Sequence, residues 1–422
     1  MPRFLLALAL LLALPAPAFA AAGDPDTDFG RRGTVTLKAT DADAVGFAVK
    51  VISGNRVLAG GSAAGQLVVL KLRASGSLDS TFGTRGQVVP ALPGTSLDGV
   101  KGIETVRDGR VVASGTLRLA DGSTRFVTLR LLPSGEIDPS YGAGQGYVLS
   151  GPNDAVLHAM TMNRDGVVYL GGESNGAPFI MRLLGDGTVD PAFANPALGL
   201  TGRVTGLLIR PDGTLTYTVA TGAAAFTVVR LNAAGTLDPA WGGTGVVTHV
   251  LSSGTGPDVG AMAVRQGSAT TTLVAGTDTT AAGTARGAVV RLNADGSLDT
   301  AFGSDGITRI SRSGRDLHVT SMVRDRSGRI LVAGTGRTPD SLLVRLRANG
   351  ARDARFGNGG LTFPVLGAPP GGTPVFTRLD AIDVAGSKAV VVGSAAGPGR
   401  LVRSINGTTY TGRFALTVTR FD

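Results

Sequence analysis

Arg291-Leu292-Asn293-Ala294-Asp295-Gly296-Ser297-Leu298-Asp299-Thr300-Ala301-Phe302-Gly303 decides the fold, because its spacing recurs along the chain. A basic residue is followed five residues later by Gly, eight later by Asp and eleven later by an aromatic. The same register holds at Lys71, Gly76, Asp79 and Phe82, and at Arg130, Gly135, Asp138 and Tyr141. It returns at Arg182 with Asp190 and Phe193, at Arg230 with Asp238 and Trp241, and at Arg345 with Asp353 and Phe356. Asp26 and Phe29 stand near the beginning without a basic partner, and Arg420 stands near the end without an acidic or aromatic one. The two halves complement each other, so the chain is expected to close on itself as a ring.

Successive aromatics are 53, 59, 52, 48, 61 and 54 residues apart, a period that points to one repetitive domain rather than several unrelated ones. Each unit reads as four short strands. In the third unit these are Tyr147–Leu149, Ala159–Met162, Val167–Leu170 and Phe179–Leu183. Asn163-Arg164-Asp165-Gly166 supplies a tight turn between the second and third of them, with Gly accepting a positive φ. Four short antiparallel strands per unit make the blade of a propeller. Seven halves of each kind predict an all-β, seven-bladed β-propeller over residues 23–422, the strand Gly33–Leu37 completing the sheet begun by Ala389–Val392 and Phe414–Val418. Ring closure of this kind removes the free strand edges that invite aggregation.

With Asp305-Gly306 following two residues later, these units resemble the bacterial delta-60 repeat, and more distantly the NHL-type propellers. The resemblance implies an exported β-propeller and brings no catalytic residues. Two places depart from the pattern: Phe193 is followed by Ala194 instead of Gly, and Val365–Pro374 is an irregular insertion.

The first twenty residues carry Arg3, an apolar stretch from Phe4 to Leu14, and Ala18-Phe19-Ala20 ahead of Ala21. That is the pattern of a signal peptide spanning 1–20, too short to cross a bilayer, with cleavage after Ala20 or Ala22 and a mature protein in the periplasm or outside the cell. The chain has no cysteine, which excludes disulfides, thiolate chemistry and a lipid-modified cysteine anchor. Its formal charge is +9, almost all of the cations being arginine, a balance suited to anionic partners.

Several residues invite a chemical reading. The recurrent Asp26, Asp79, Asp138, Asp190, Asp238, Asp299 and Asp353 lack the alternate-position spacing of a calcium loop. They are expected to accept hydrogen bonds from turn amides and to pair with the preceding Lys or Arg, while the aromatics wedge between blades. Asp43, Asp98, Asp154, Asp258 and Asp316 fall in loops ahead of inner strands, where they either cap strands or form a carboxylate ring able to hold a cation or act as acid and base. Alignment on the downstream turns puts Lys101, His158 and His318 in one register, equivalent to Gly46, Thr205 and Val259 in other units; His249 falls in an outer strand. Histidines beside a pore suit a general base or a metal, although no symmetric metal site follows from this set.

The chain carries no His-Glu-x-x-His or Gly-Lys-Ser/Thr motif. Five tyrosines and one tryptophan leave few platforms for stacking nucleic-acid bases. The expected function is therefore a monomeric, non-catalytic binding module for a protein, a cell-envelope component or an anionic glycan. No cofactor is expected, a divalent cation being the one the carboxylates would admit. Competing readings are a hydrolase or lyase at the channel mouth using Asp98, Asp154, Asp316, His158 and His318, and a purely structural surface component. Lys101, Asp43 and Asp258 complete the set of candidate binding residues. Val365–Pro374 and Gly397–Gly412 break the repeat, and such loops are where function is added.

Overall fold

The computed structural model describes residues 21–37, 44–255, 260–311, 316–336, 341–364, 376–405 and 408–422. The expected signal peptide and the insertion Val365–Pro374 lie outside them.

Seven antiparallel sheets follow one another around a ring, and the first packs against both the second and the last. The first blade runs outward through Ala44–Ile52, Arg56–Ala63, Gln66–Leu72 and Gln87–Val88. Its second and third strands are almost wholly buried, because a neighbouring blade covers each face of the sheet. Their apolar residues therefore run continuously instead of alternating. The core is correspondingly divided into seven clusters, one at each interface between blades. Between the first two blades, for example, Leu58, Val69 and Phe82 meet Val100, Ala113 and Val127.

The two ends of the chain share the seventh blade. Thr34–Leu37 pairs antiparallel with Leu416–Thr419 and forms the outer strand of the sheet whose inner strand is Phe376–Ala385. Asp26 receives Arg420 at 2.5 Å and Lys388 at 2.6 Å, so the split repeat is reunited across the closure.

Each repeat folds into a clamp joining one blade to the next. In six of them the Arg Nε meets the Asp Oδ2 at 2.5 to 2.8 Å, and in the first blade Lys71 stands 3.8 Å from Asp79. The other Asp oxygen accepts the amide two residues on, at 2.9 to 3.3 Å, which fixes the turn leading to the aromatic. The guanidinium carbon lies 4.5 to 4.9 Å from the centre of that aromatic ring. A free guanidinium nitrogen then crosses to a carbonyl of the next blade, as Arg182 does to Ala233 at 2.7 Å and Arg291 to Ala348 at 2.8 Å. At Asp138 burial opposes the charge, but hydrogen bonds from Ser140, Arg130 and Arg110 hold the carboxyl well below the usual range.

The third blade differs from the four-strand expectation. It has three strands, Val156–Met162, Val168–Ser174 and Ala177–Leu183. The glycine after the aromatic explains why. Gly142 of the second blade sits at φ +61°, where a Cβ would come within 2.2 Å of the Tyr147 carbonyl oxygen, and its turn leads directly into the outer strand Tyr147–Ser150. Ala194 stands at that position in the third blade, and the chain from 194 to 202 takes an irregular path.

Candidate functional site

Every inner strand carries the same irregularity. The ladder between the first and second strands slips by one residue between Gly46 and Ala48, Val100 and Gly102, Leu157 and Ala159, and Val204 and Gly206. It does so again between Ala261 and Ala263, Val319 and Ser321, and Leu379 and Ala381. A bulge leaves its extra residue unpaired and re-aims its side chain. The seven extra residues are Phe47, Lys101, His158, Thr205, Met262, Thr320 and Asp380, and all seven line one polar cavity of about 180 Å³ on the propeller axis. The residue after the bulge meets the neighbouring blade: a Cβ on Gly102 would strike Met160 of the next blade at 2.3 Å.

The ring has defined chemistry. The Lys101 ammonium lies 4.0 Å above the Phe47 ring and 3.9 Å from Asp98. His158 Nε2 stands 3.3 Å from Glu173 Oε1. Burial pushes the His158 imidazole below its ordinary value, and the Glu173 hydrogen bond only partly offsets this. The hydrogen bond from His158 in turn lowers Glu173, so a neutral His158 donates Nε2–H to a carboxylate and leaves Nδ1 as its acceptor. Thr205 and Thr218 share a hydroxyl hydrogen bond at 3.0 Å, Thr320 donates to the Ala333 carbonyl at 3.2 Å, and Asp380 pairs with Arg378 at 2.7 Å.

One tier further along the strands lie Lys50, Glu104, Arg265 and Asp383, three residues past their respective bulges. Lys50 and Glu104 pair at 2.8 Å. Asp383 accepts the amides of Val51 at 2.8 Å and Val384 at 2.9 Å. Glu104 and Arg265 line the cavity.

The candidates named from sequence are dispersed by this geometry. Asp43 and Asp258 lie outside the described residues. Asp98 accompanies Lys101, while Asp154 occupies an exposed turn at φ +64°. Asp316 accepts the Ala285 amide of the preceding blade at 2.8 Å, a strand-capping contact. His158 and Lys101 stand in the ring together with Thr205, but His318 does not: it pairs with Thr335 ahead of the bulge, and Thr320 takes the ring position. Likewise Phe47 and Met262 occupy the places read as Gly46 and Val259, because a bulge shifts the register by a residue that spacing alone does not reveal. His249 meets the Gly296 carbonyl at 2.9 Å on an outer strand.

Sequence reasoning passed over Phe47, Met262, Thr320, Asp380, Glu173, Glu104 and Arg265. One signal was available. The residue after each bulge is small in all seven units: Ala48, Gly102, Ala159, Gly206, Ala263, Ser321 and Ala381. Among the described residues no three His, Asp or Glu side chains gather as metal ligands, and no helix is long and apolar enough to cross a membrane.

Comparison with known proteins agrees with the architecture. Residues 55–82, 107–141, 164–193, 271–302 and 326–356 match the family model described as "domain of unknown function (DUF5122) beta-propeller". A search of curated proteins gave no match. Selenomethionine-substituted virginiamycin B lyase from Staphylococcus aureus is similar in structure at TM-score 0.50 and 11% identity, over 92% of this chain and 98% of that one. The extracellular domains 1-2 of Drosophila Semaphorin 1b align over 94% of this chain and 87% of theirs, at TM-score 0.43 and 9% identity. At 11% identity the likeness to the lyase speaks for fold alone, and the sheet topology makes the chain a seven-bladed β-propeller.

Proposed function

We propose that this propeller is an exported, non-catalytic binding module that seats an acidic group of a cell-envelope glycan in the mouth of its central channel. The observation that carries this reading is the bulge ring. The repeat residues of the frame are nearly identical from blade to blade, whereas the seven residues re-aimed onto the axis all differ except for two threonines. Lys101 above Phe47 offers a cation beside an apolar face, and Thr205 and His158 offer a hydroxyl and an imidazole acceptor. These are the groups that recognise a charged sugar. The basic balance of the chain favours the approach of such a polymer.

Titration calorimetry with oligomers of galacturonic acid tests the proposal. Lys101→Met and His158→Gln should each weaken binding by roughly tenfold, about 1.4 kcal/mol. Unchanged affinity in both variants would remove the channel from the account. A second reading, a hydrolase or lyase, is favoured by one observation: the neutral, carboxylate-held His158 has the form of a general base. Cleavage of the same oligomers by the wild type, abolished in His158→Gln, would replace binding by catalysis.

A further inference from the structure

Arg265 is the one cation of the inner tier without a direct ion pair, Asp383 and Glu104 acting on it only at longer range. Glu104 is held by Lys50, and both oxygens of Asp383 receive backbone amides. Arg265 spends one donor on the carbonyl of its own neighbour, Val264, at 2.8 Å. Among the described residues no carboxylate stands within ion-pair distance of it. Its planar, five-donor guanidinium belongs to a residue that lines the axial cavity together with Lys101, His158 and Thr205 and with the carboxylates Glu104 and Asp380, which already have Lys50 and Arg378 as partners. Burial lowers its pKa, and the more distant Asp383 and Glu104 only partly offset that cost. The charge is thus desolvated and only partly compensated, so a closer anion would stabilise it further.

A guanidinium fork matches the two oxygens of a carboxylate, forming parallel charge-assisted hydrogen bonds. A cavity of about 180 Å³ has room for a small group and not for a folded segment. Resting on the reading of the channel as a glycan seat, we infer that Arg265 is the anchor of that seat and holds the carboxylate of a single uronic acid, whose ring passes the bulge residues at the mouth. The occupant is then defined by a planar carboxylate set at a fixed depth below Lys101 and Thr205.

Calorimetry and thermal shift with sodium glucuronate, glucose, N-acetylalanine and inorganic phosphate, at constant ionic strength, test the assignment. Glucuronate should bind at least about tenfold more tightly than glucose and raise the melting temperature. Arg265→Met should abolish that preference, bringing glucuronate down to the affinity of glucose, and Arg265→Lys should retain part of it. If Arg265→Met fails to fold, Arg265→Lys carries the same comparison. Wild-type glucuronate affinity in the Arg265 variants would overturn the anchor and leave the glycan seat standing, whereas equal binding of glucuronate and glucose to the wild type would overturn both the anchor and the seat for an acidic group. Tighter binding of phosphate would overturn the carboxylate, and tighter binding of N-acetylalanine would overturn the sugar in favour of a peptide terminus. No response of the wild type to any probe would overturn both the anchor and the seat.

Discussion

The clamps between blades and the bulge ring on the axis lie in the same sheets, yet they obey opposite rules. Each clamp repeats one basic residue, one Asp and one aromatic, because every interface between blades poses the same geometric problem. The ring repeats a backbone irregularity and varies the side chain on it, from Phe47 and Met262 to Lys101, His158 and Asp380. Sameness marks what the fold requires. Variation at a fixed, re-aimed position marks what the fold leaves free for a ligand.

The sharpest way to break this contrast is inside the frame. Asp138→Ala leaves Arg130 buried without its partner, with side-chain exposures of 7% and 3% in the intact pair, and should cost about 3–5 kcal/mol in chemical denaturation. Asp238→Ala at the more open pair of the fourth blade, where exposures are 13% and 22%, should cost about 1 kcal/mol or less. Equal losses would deny that burial sets the importance of a clamp. Trp241, fully buried between blades with its indole N–H on the Val228 carbonyl at 3.2 Å, should cost about 3–5 kcal/mol when replaced by Ala.

Acid should cost the frame more stability than the ring. At Asp26, Asp138 and Asp353 burial works against the charge, and hydrogen bonds from turn groups together with their basic partners override it, so each carboxyl is held below its usual range. Groups depressed in the folded state contribute stability that is complete above the unfolded pKa, about 3.9 for Asp, and is lost as pH falls toward the folded value. Melting temperature should therefore drop progressively below about pH 4. His158 is also depressed, and its smaller contribution is lost as pH falls below about 6.5, the ordinary value for His. His158→Gln should flatten that upper part of the profile while the acid limb remains.

The smallest expected effects on stability belong to the ring. Lys101→Met and Thr205→Val, at half-buried positions where the ladder shifts register, should each change stability by less than about 1 kcal/mol.

Spacing made the frame legible. The repeated register of Arg, Gly, Asp and aromatic is local, so the clamps and the ring closure through Asp26 and Arg420 follow from counting residues. The missing fourth strand of the third blade was marked by Ala194, although nothing local says how far the path departs once that glycine is gone. The site was less legible because a bulge has no residue signature of its own. Lys101, His158 and Thr205 could be aligned, but Thr320 was hidden behind His318, and Asp380 entered the ring from a blade whose inner strand follows an irregular insertion. Arg265 looked like one of many arginines until the fold set it beside the axial cavity without a direct ion pair.

The most direct test of the division between frame and ring is the triple variant Lys101→Met, His158→Gln, Thr205→Val, followed by melting and by calorimetry with galacturonic acid oligomers. The account predicts a melting temperature within a few degrees of the wild type and loss of binding. A collapsed melting temperature with binding retained by the folded fraction would contradict it.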